Sequence, residues 1–128
     1  MSKFFLNLFE NVPSANHLLD MEPKELAGHV LLSLENDDLI KPDELIGHRS
    51  MSNALYQKRD LSDVYPKELH DNVIFALMEA WQYLKSACFV ATRPSSLSTI
   101  HSIYSSPVYF VTRLGKSIET FEDYKRLI

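Results

Sequence analysis

Apolar residues recur at helical spacing through much of the chain, and the longest such run lies at its middle. In "YPKELHDNVIFALMEAWQYLKSA", Leu69, Val73, Ala76, Leu77, Ala80 and Leu84 fall on one stripe, which Ile74, Met78 and Trp81 widen. Pro66 suits a first helical position, where a missing N–H costs nothing. Glu68 and Asp71 lie near the N-terminal end and Lys85 near the C-terminal end, as the helix dipole favours. The pattern predicts a helix of about twenty-one residues from Pro66, a rod of roughly 31 Å, with a stripe wide enough for burial on more than one side.

Upstream, "EPKELAGHVLLSLEN" predicts a helix over residues 23–35, opened by Pro23 and striped by Leu26, Val30 and Leu34. The segment "NDDLIKPDELIGHRSMSNALYQKRD" predicts a helix–loop–helix. Pro42 starts the first helix, Leu45 and Ile46 face inward, and Met51, Ala54 and Leu55 either continue it or form a second. Near the start, Phe4, Phe5, Leu8 and Phe9 fall near helical spacing until Pro13. They predict either a short helix or arm packed on the body, over residues 1–19, or a docking element for a partner or a second copy.

After the long helix the period changes. "CFVATRP" and "PVYFVTR" are short, rich in β-branched and aromatic residues, and bounded by proline. They predict antiparallel strands at 88–93 and 108–113, separated by a serine-rich loop at 94–106 that is long for a hairpin. Phe89, Val108 and Phe110 are expected against the long helix, because a bare two-stranded hairpin is not stable alone. Gly115 suits a turn that needs a positive φ. Residues 115–128 predict a last helix through Ile118, Phe121, Tyr124 and Leu127 or Ile128.

The order helix, helix, long helix, strand, loop, strand, helix predicts an α+β, mostly α fold. The expected form is a winged helix-turn-helix over residues 20–128, with a two-stranded antiparallel wing and a C-terminal helix. The stretches "YPKELHDNVIFALMEAWQYLKSACFVATRP", "VYFVTRLGK" and "LLDMEPKELAGHVLLSL" resemble the winged-helix region at the N-terminal side of prokaryotic Ymh-type proteins, over residues 18–124. Those are uncharacterised proteins associated with phage defence and mobile elements, so the resemblance implies a prophage or defence setting. The chain departs from that pattern twice. Cys88 stands where glycine is usual, which costs about 1 kcal/mol or more if the backbone is left-handed there, unless the helix ends differently. The chain also stops at "EDYKRLI", where the resemblance leads one to expect a larger C-terminal domain likened to HEPN folds, so any effector chemistry housed there is expected to be absent and the chain to be either a stand-alone adaptor or an excised piece.

Charge and candidate chemistry refine this picture. The chain has 128 residues and a net charge of −4. Residues 1–64 hold six Lys/Arg against eleven Asp/Glu, and residues 65–128 hold seven against six. No acid lies between Ala80 and Ile118, where Lys85, Arg93, Arg113 and Lys116 stand. An acidic whole argues against non-specific nucleic-acid binding, while the basic segment keeps a local site open. The start carries neither a membrane span nor a signal peptide, so a cytoplasmic protein with no membrane attachment is expected. One cysteine excludes an internal disulfide and a cysteine-based zinc site. The five histidines have no metal-ligand spacing, and the three glycines form no phosphate loop, so no metal, cofactor or enzyme activity is expected. Cys88 is expected to be a buried, inert thiol.

Two functions remain. As a reader of double-stranded DNA, the chain would offer Lys67, His70 and Asn72 from the long helix, with Arg93 and Arg113 at the strand ends bounding the loop, Lys116 after them, and His101 in the loop. Glu68 and Asp71 oppose this electrostatically, so binding is expected to be weak or conditional. As an interaction or dimerisation module, it would use Phe4, Phe5 and Phe9 with Phe121 and Tyr124, to hold a homodimer or a partner protein.

Overall fold

The computed structural model describes residues 3–34, 39–93 and 108–128. Its elements are α1 (Phe4–Asn11), α2 (Ala15–Asp20), α3 (Pro23–Ser33), α4 (Pro42–Leu45), α5 (His48–Gln57), α6 (His70–Ser86), β1 (Val90–Thr92), β2 (Tyr109–Val111), α7 (Arg113–Lys116) and α8 (Phe121–Leu127). The fold is mostly helical with one small antiparallel sheet.

Helices α3 and α6 make the most extensive contact of any two elements. Their facing stripes, Leu26, Ala27, Val30 and Leu31 with Val73, Leu77, Ala80, Trp81 and Leu84, form the centre of the core. The long helix proper starts at His70, later than the Pro66 expected from sequence. Pro66 keeps an extended backbone and opens a single 3-10 turn, Lys67–Leu69, ahead of it. Likewise α4 is one turn only, and the chain restarts at Gly47 as α5.

The aromatic N-terminus belongs to the same core. Phe4, Phe5, Leu8 and Phe9 are all buried. The Phe9 ring lies 4.6 Å from that of Tyr65, and the Tyr65 hydroxyl donates to the Val12 carbonyl at 2.5 Å. The next helix, α2, is set by Ser14, whose side-chain oxygen accepts from the His17 N–H at 3.1 Å.

The two strands pair as expected, with Val90 opposite Val111 and Thr92 opposite Tyr109. Their inward face differs from the sequence expectation. Tyr109 and Val111 are buried, while Val108 and Phe110 are only half-buried. Tyr109 meets Trp81 edge-on at 5.4 Å. On the other side of β2, Ile40 exchanges both backbone hydrogen bonds with Tyr109, at 2.9 and 2.8 Å. The order across the sheet is therefore β1, β2, Ile40.

Helix α6 ends in a Schellman turn. Phe89 N–H donates to Leu84 O at 3.0 Å and Cys88 N–H to Lys85 O at 3.1 Å. Cys88 sits in the left-handed region at φ 65°, the one non-glycine residue with positive φ among those described. The thiol is exposed, contrary to the buried site expected. Thr112 then ties β2 back to this turn. Its N–H donates to Phe89 O, its hydroxyl donates to Cys88 O at 2.7 Å, and the same oxygen accepts from Gly115 N–H. Gly115 has no positive φ. Its need is for space, because a Cβ there would overlap the Phe89 carbonyl oxygen.

The tail is two helices and not one. Ser117, Ile118 and Glu119 break it, and Thr120 caps α8 by accepting from Asp123 N–H. Tyr124 anchors α8 on α3. It is fully buried, its hydroxyl donates to Lys24 O at 2.5 Å, and its ring covers Gly28.

Candidate interaction surface

The described residues of the nucleic-acid set proposed from sequence do not gather. Lys67 and Asn72 are exposed at the start of α6. His70 turns back on the chain, with its Nε2 2.9 Å from the Tyr65 carbonyl, so that nitrogen donates internally. Asp71 meets His48 Nε2 at 2.7 Å, an exposed pair joining the starts of α5 and α6. Tyr109 contacts Trp81 and Lys85. Those residues lie eleven and fifteen positions along α6 from His70, about 16–22 Å at 1.5 Å per residue.

Arg93 and Arg113 are also apart from each other. Arg93 N–H pairs with Val108 O at the loop end of the ribbon, whereas Arg113 follows Thr112, which pairs with Phe89 at the helix end. Those two rungs are four residues apart, roughly 13 Å. The expectation that both arginines bound the loop is thus corrected, since β2 runs away from the loop towards Arg113. Arg113 and Lys116 share the one-turn helix α7 and are exposed. His101 and the serine-rich loop lie outside the described residues.

The aromatic interaction set is corrected too. Phe4, Phe5, Phe9 and Tyr124 are buried in the chain's own core, so none of them presents a surface to a partner. Phe121 is half-buried and stacked on His29 at 4.1 Å. Burial lowers the pKa of His29 below its ordinary 6.5, against an opposing pull from Glu25, and His17 and Lys125 add to the lowering. Burial likewise raises the hydroxyl pKa of Tyr65 and of Tyr124.

A different surface stands out on α6. Its solvent face carries Asp71, Asn72, Phe75, Glu79, Gln82 and Ser86, with two acids and no cation. Phe75 is 66% exposed at the middle of that stripe. On either side of its ring is an apolar hollow. One, of about 300 Å³, is lined by Leu19, Met21, Leu26 and Ala76. The other, of about 470 Å³, is lined by Pro42, Met78, Trp81 and Tyr109, with Gln82 and Lys85 at its edge. Phe75 and Glu79 border both. Lys85 holds its Nζ over the Tyr109 ring at 5.4 Å. Trp81 Nε1 is the one buried side-chain polar atom without a hydrogen-bond partner among the described residues.

Phe75 escaped the sequence reading because it lies off the core stripe of its own helix. The available signal was a phenylalanine spaced four residues from both Asp71 and Glu79, on the polar face of an otherwise regular amphipathic pattern. Among the described residues no three His, Cys, Asp or Glu side chains gather as a metal site. No described helix is long and apolar enough to cross a membrane. Comparison of the chain with protein-family models, curated proteins and solved structures gives no match.

Proposed function

We propose that the chain is a winged-helix module that works by protein–protein contact through the outward face of α6, without enzymatic activity. The element order supports the winged-helix reading. Helix α3, the bridging residue Ile40, the one-turn α4, α5, the long α6 and then β1 and β2 come in that order, and Ile40 lies on the far side of β2. In such folds the long helix presents its solvent face to the ligand. Here that face offers an exposed phenylalanine between two acids, Asp71 and Glu79, which disfavour phosphates there. The observation that carries the reading is Phe75. Burying a phenylalanine side chain is worth about 1.5–3 kcal/mol, and 66% of this one remains for a partner to cover.

A DNA-binding reading keeps one observation in its favour, the exposed pair Arg113 and Lys116 on α7. The two readings separate in a titration with mixed-sequence duplex across a salt series. The interaction reading expects no salt-steep binding. It also expects affinity capture from the source cells to be lost in Phe75→Ser and kept in the Arg93→Ala, Arg113→Ala, Lys116→Ala triple variant. Duplex binding that weakens steeply with salt and disappears in the triple variant would overturn it.

A further inference from the structure

We infer that the occupant of the α6 face is a second copy of this chain, packed as a two-fold pair of antiparallel α6 helices with each Phe75 seated in the other copy's Trp81–Tyr109 hollow. The inference rests on the docking reading above and names its partner.

The geometry of the face argues for self-pairing. A receptor for an unrelated peptide needs a hollow. This face has a hollow and, directly beside it on the same helix, a projecting ring of the kind that would fill it. A two-fold axis between knob and hollow places each knob over the partner's hollow, which is the self-complementarity that an isologous interface requires.

Charge argues for the antiparallel sense. The stripe is acidic at its N-terminal end, at Asp71, whose carboxylate also meets the exposed His48 of its own chain, and is bordered at its C-terminal end by the cation Lys85. With the axis midway between Phe75 and Gln82, Phe75 lies across from Gln82 and Asp71 lies across from Ser86, next to Lys85. Each Asp71 then lies near the partner's Lys85, and the helix dipoles oppose each other favourably. A parallel pair would set Asp71 against Asp71. Glu79 falls near the axis, where the two copies bring like charges together, so this residue weakens the pair and keeps the association reversible.

Sedimentation velocity over micromolar to millimolar concentrations tests the inference. The chain is expected to pass from monomer to dimer, and Phe75→Ser is expected to weaken the dimer by on the order of tenfold or more. That substitution lies on the solvent face, and an unchanged thermal melt shows that the fold is intact. Glu79→Gln is expected to tighten the dimer. Asp71→Lys and Lys85→Glu are each expected to weaken it alone, because only the antiparallel register sets residue 71 against residue 85, and to form a heterodimer when mixed. A monomer at all concentrations overturns the inference, as does a dimer indifferent to Phe75→Ser or a mixture no tighter than its components. If the chain stays monomeric yet loses a captured protein in Phe75→Ser, the second copy is ruled out and the docking reading stands. If it stays monomeric and binds duplex with a steep salt dependence, both fall.

Discussion

Replacing Cys88 by glycine should stabilise the protein, by an amount that follows from the backbone. At φ 65°, Cys88 occupies the left-handed position that closes the Schellman turn after α6. A Cβ in that conformation crowds the carbonyl and costs roughly 1–2 kcal/mol. Glycine removes that cost but gives back part of it, about 0.4–1 kcal/mol, through the greater freedom of the unfolded chain. The thiol is exposed, so its loss sacrifices no packing. The contacts made by this residue use its backbone, since the Cys88 carbonyl accepts from Thr112 and its N–H donates to Lys85 O. The net gain is therefore about 0–1.6 kcal/mol, centred near 0.8 kcal/mol. At roughly 2.1 cal/mol/K of unfolding entropy per residue, a chain of 128 residues converts the central value to a rise of about 3 °C in melting temperature.

Calorimetry or a circular-dichroism melt under reducing conditions measures the shift, and two companions identify its cause. Cys88→Ala keeps the Cβ and removes the sulfur, so its melting temperature should stay at the parent value. Cys88→Val adds a β-branch in a conformation that such residues avoid, and should destabilise. If alanine raised the melting temperature as much as glycine, the thiol and not the backbone would be responsible. If glycine gave no rise, the strain at Cys88 would not exceed the cost of about 0.4–1 kcal/mol from glycine's freedom in the unfolded chain, and the expected stabilisation would be refuted.

Other substitutions probe the seams of the fold. Gly28→Ala should destabilise by about 1–3 kcal/mol, because its Cβ would overlap the Tyr124 ring and push α8 from α3; a urea midpoint unchanged from the parent would refute this. Tyr65→Phe should cost about 1–2 kcal/mol, because it leaves the Val12 carbonyl without its donor, read in the same urea titration. The lowered pKa of His29 makes stability depend on pH. Between the folded pKa and 6.5 the unfolded chain binds a proton at His29 that the folded chain does not, so stability falls as pH falls through 6.5 and levels off below the folded pKa. His29→Gln should remove that part of the slope when urea midpoints at neutral and mildly acidic pH are compared, and an identical slope would contradict the assignment.

The parts of the fold legible in the sequence were those with a long period to read. Helices α3 and α6 carry several turns of stripe, and their proline starts bracket them within a few residues. The two strands were placed by composition and pair as expected. Their inward face was not legible, because each strand has three residues and both faces of β2 are apolar. With Val108 and Phe110 on one side and Tyr109 and Val111 on the other, alternation has no polar reference to choose between them. Helix α2 and the break before α8 rest on single caps, Ser14 and Thr120, which a search for periodicity passes over. Ile40 was unreadable for a related reason, since one bridging residue has no period at all.

The candidate surface was less legible than the fold, and the cause is the same in each instance. Aromatic residues in the sequence do not say whether their partners lie within the chain. The sequence left Phe4, Phe5 and Phe9 as either packed on the body or a docking element and offered Tyr124 for docking, and the tertiary fold supplies their partners, notably Tyr65 and the close approach allowed by Gly28. Phe75 lies off the core stripe of the most regular helix, and the fold leaves it outside because α3 covers the opposite side. The cations behave similarly. Arg93 and Arg113 read as a pair flanking one loop, and the antiparallel register carries them to opposite ends of the ribbon. Surface chemistry in this chain is thus decided by which long-range contacts form. The one contact that decides most is α3 against α6, because it fixes which side of the long helix faces the solvent.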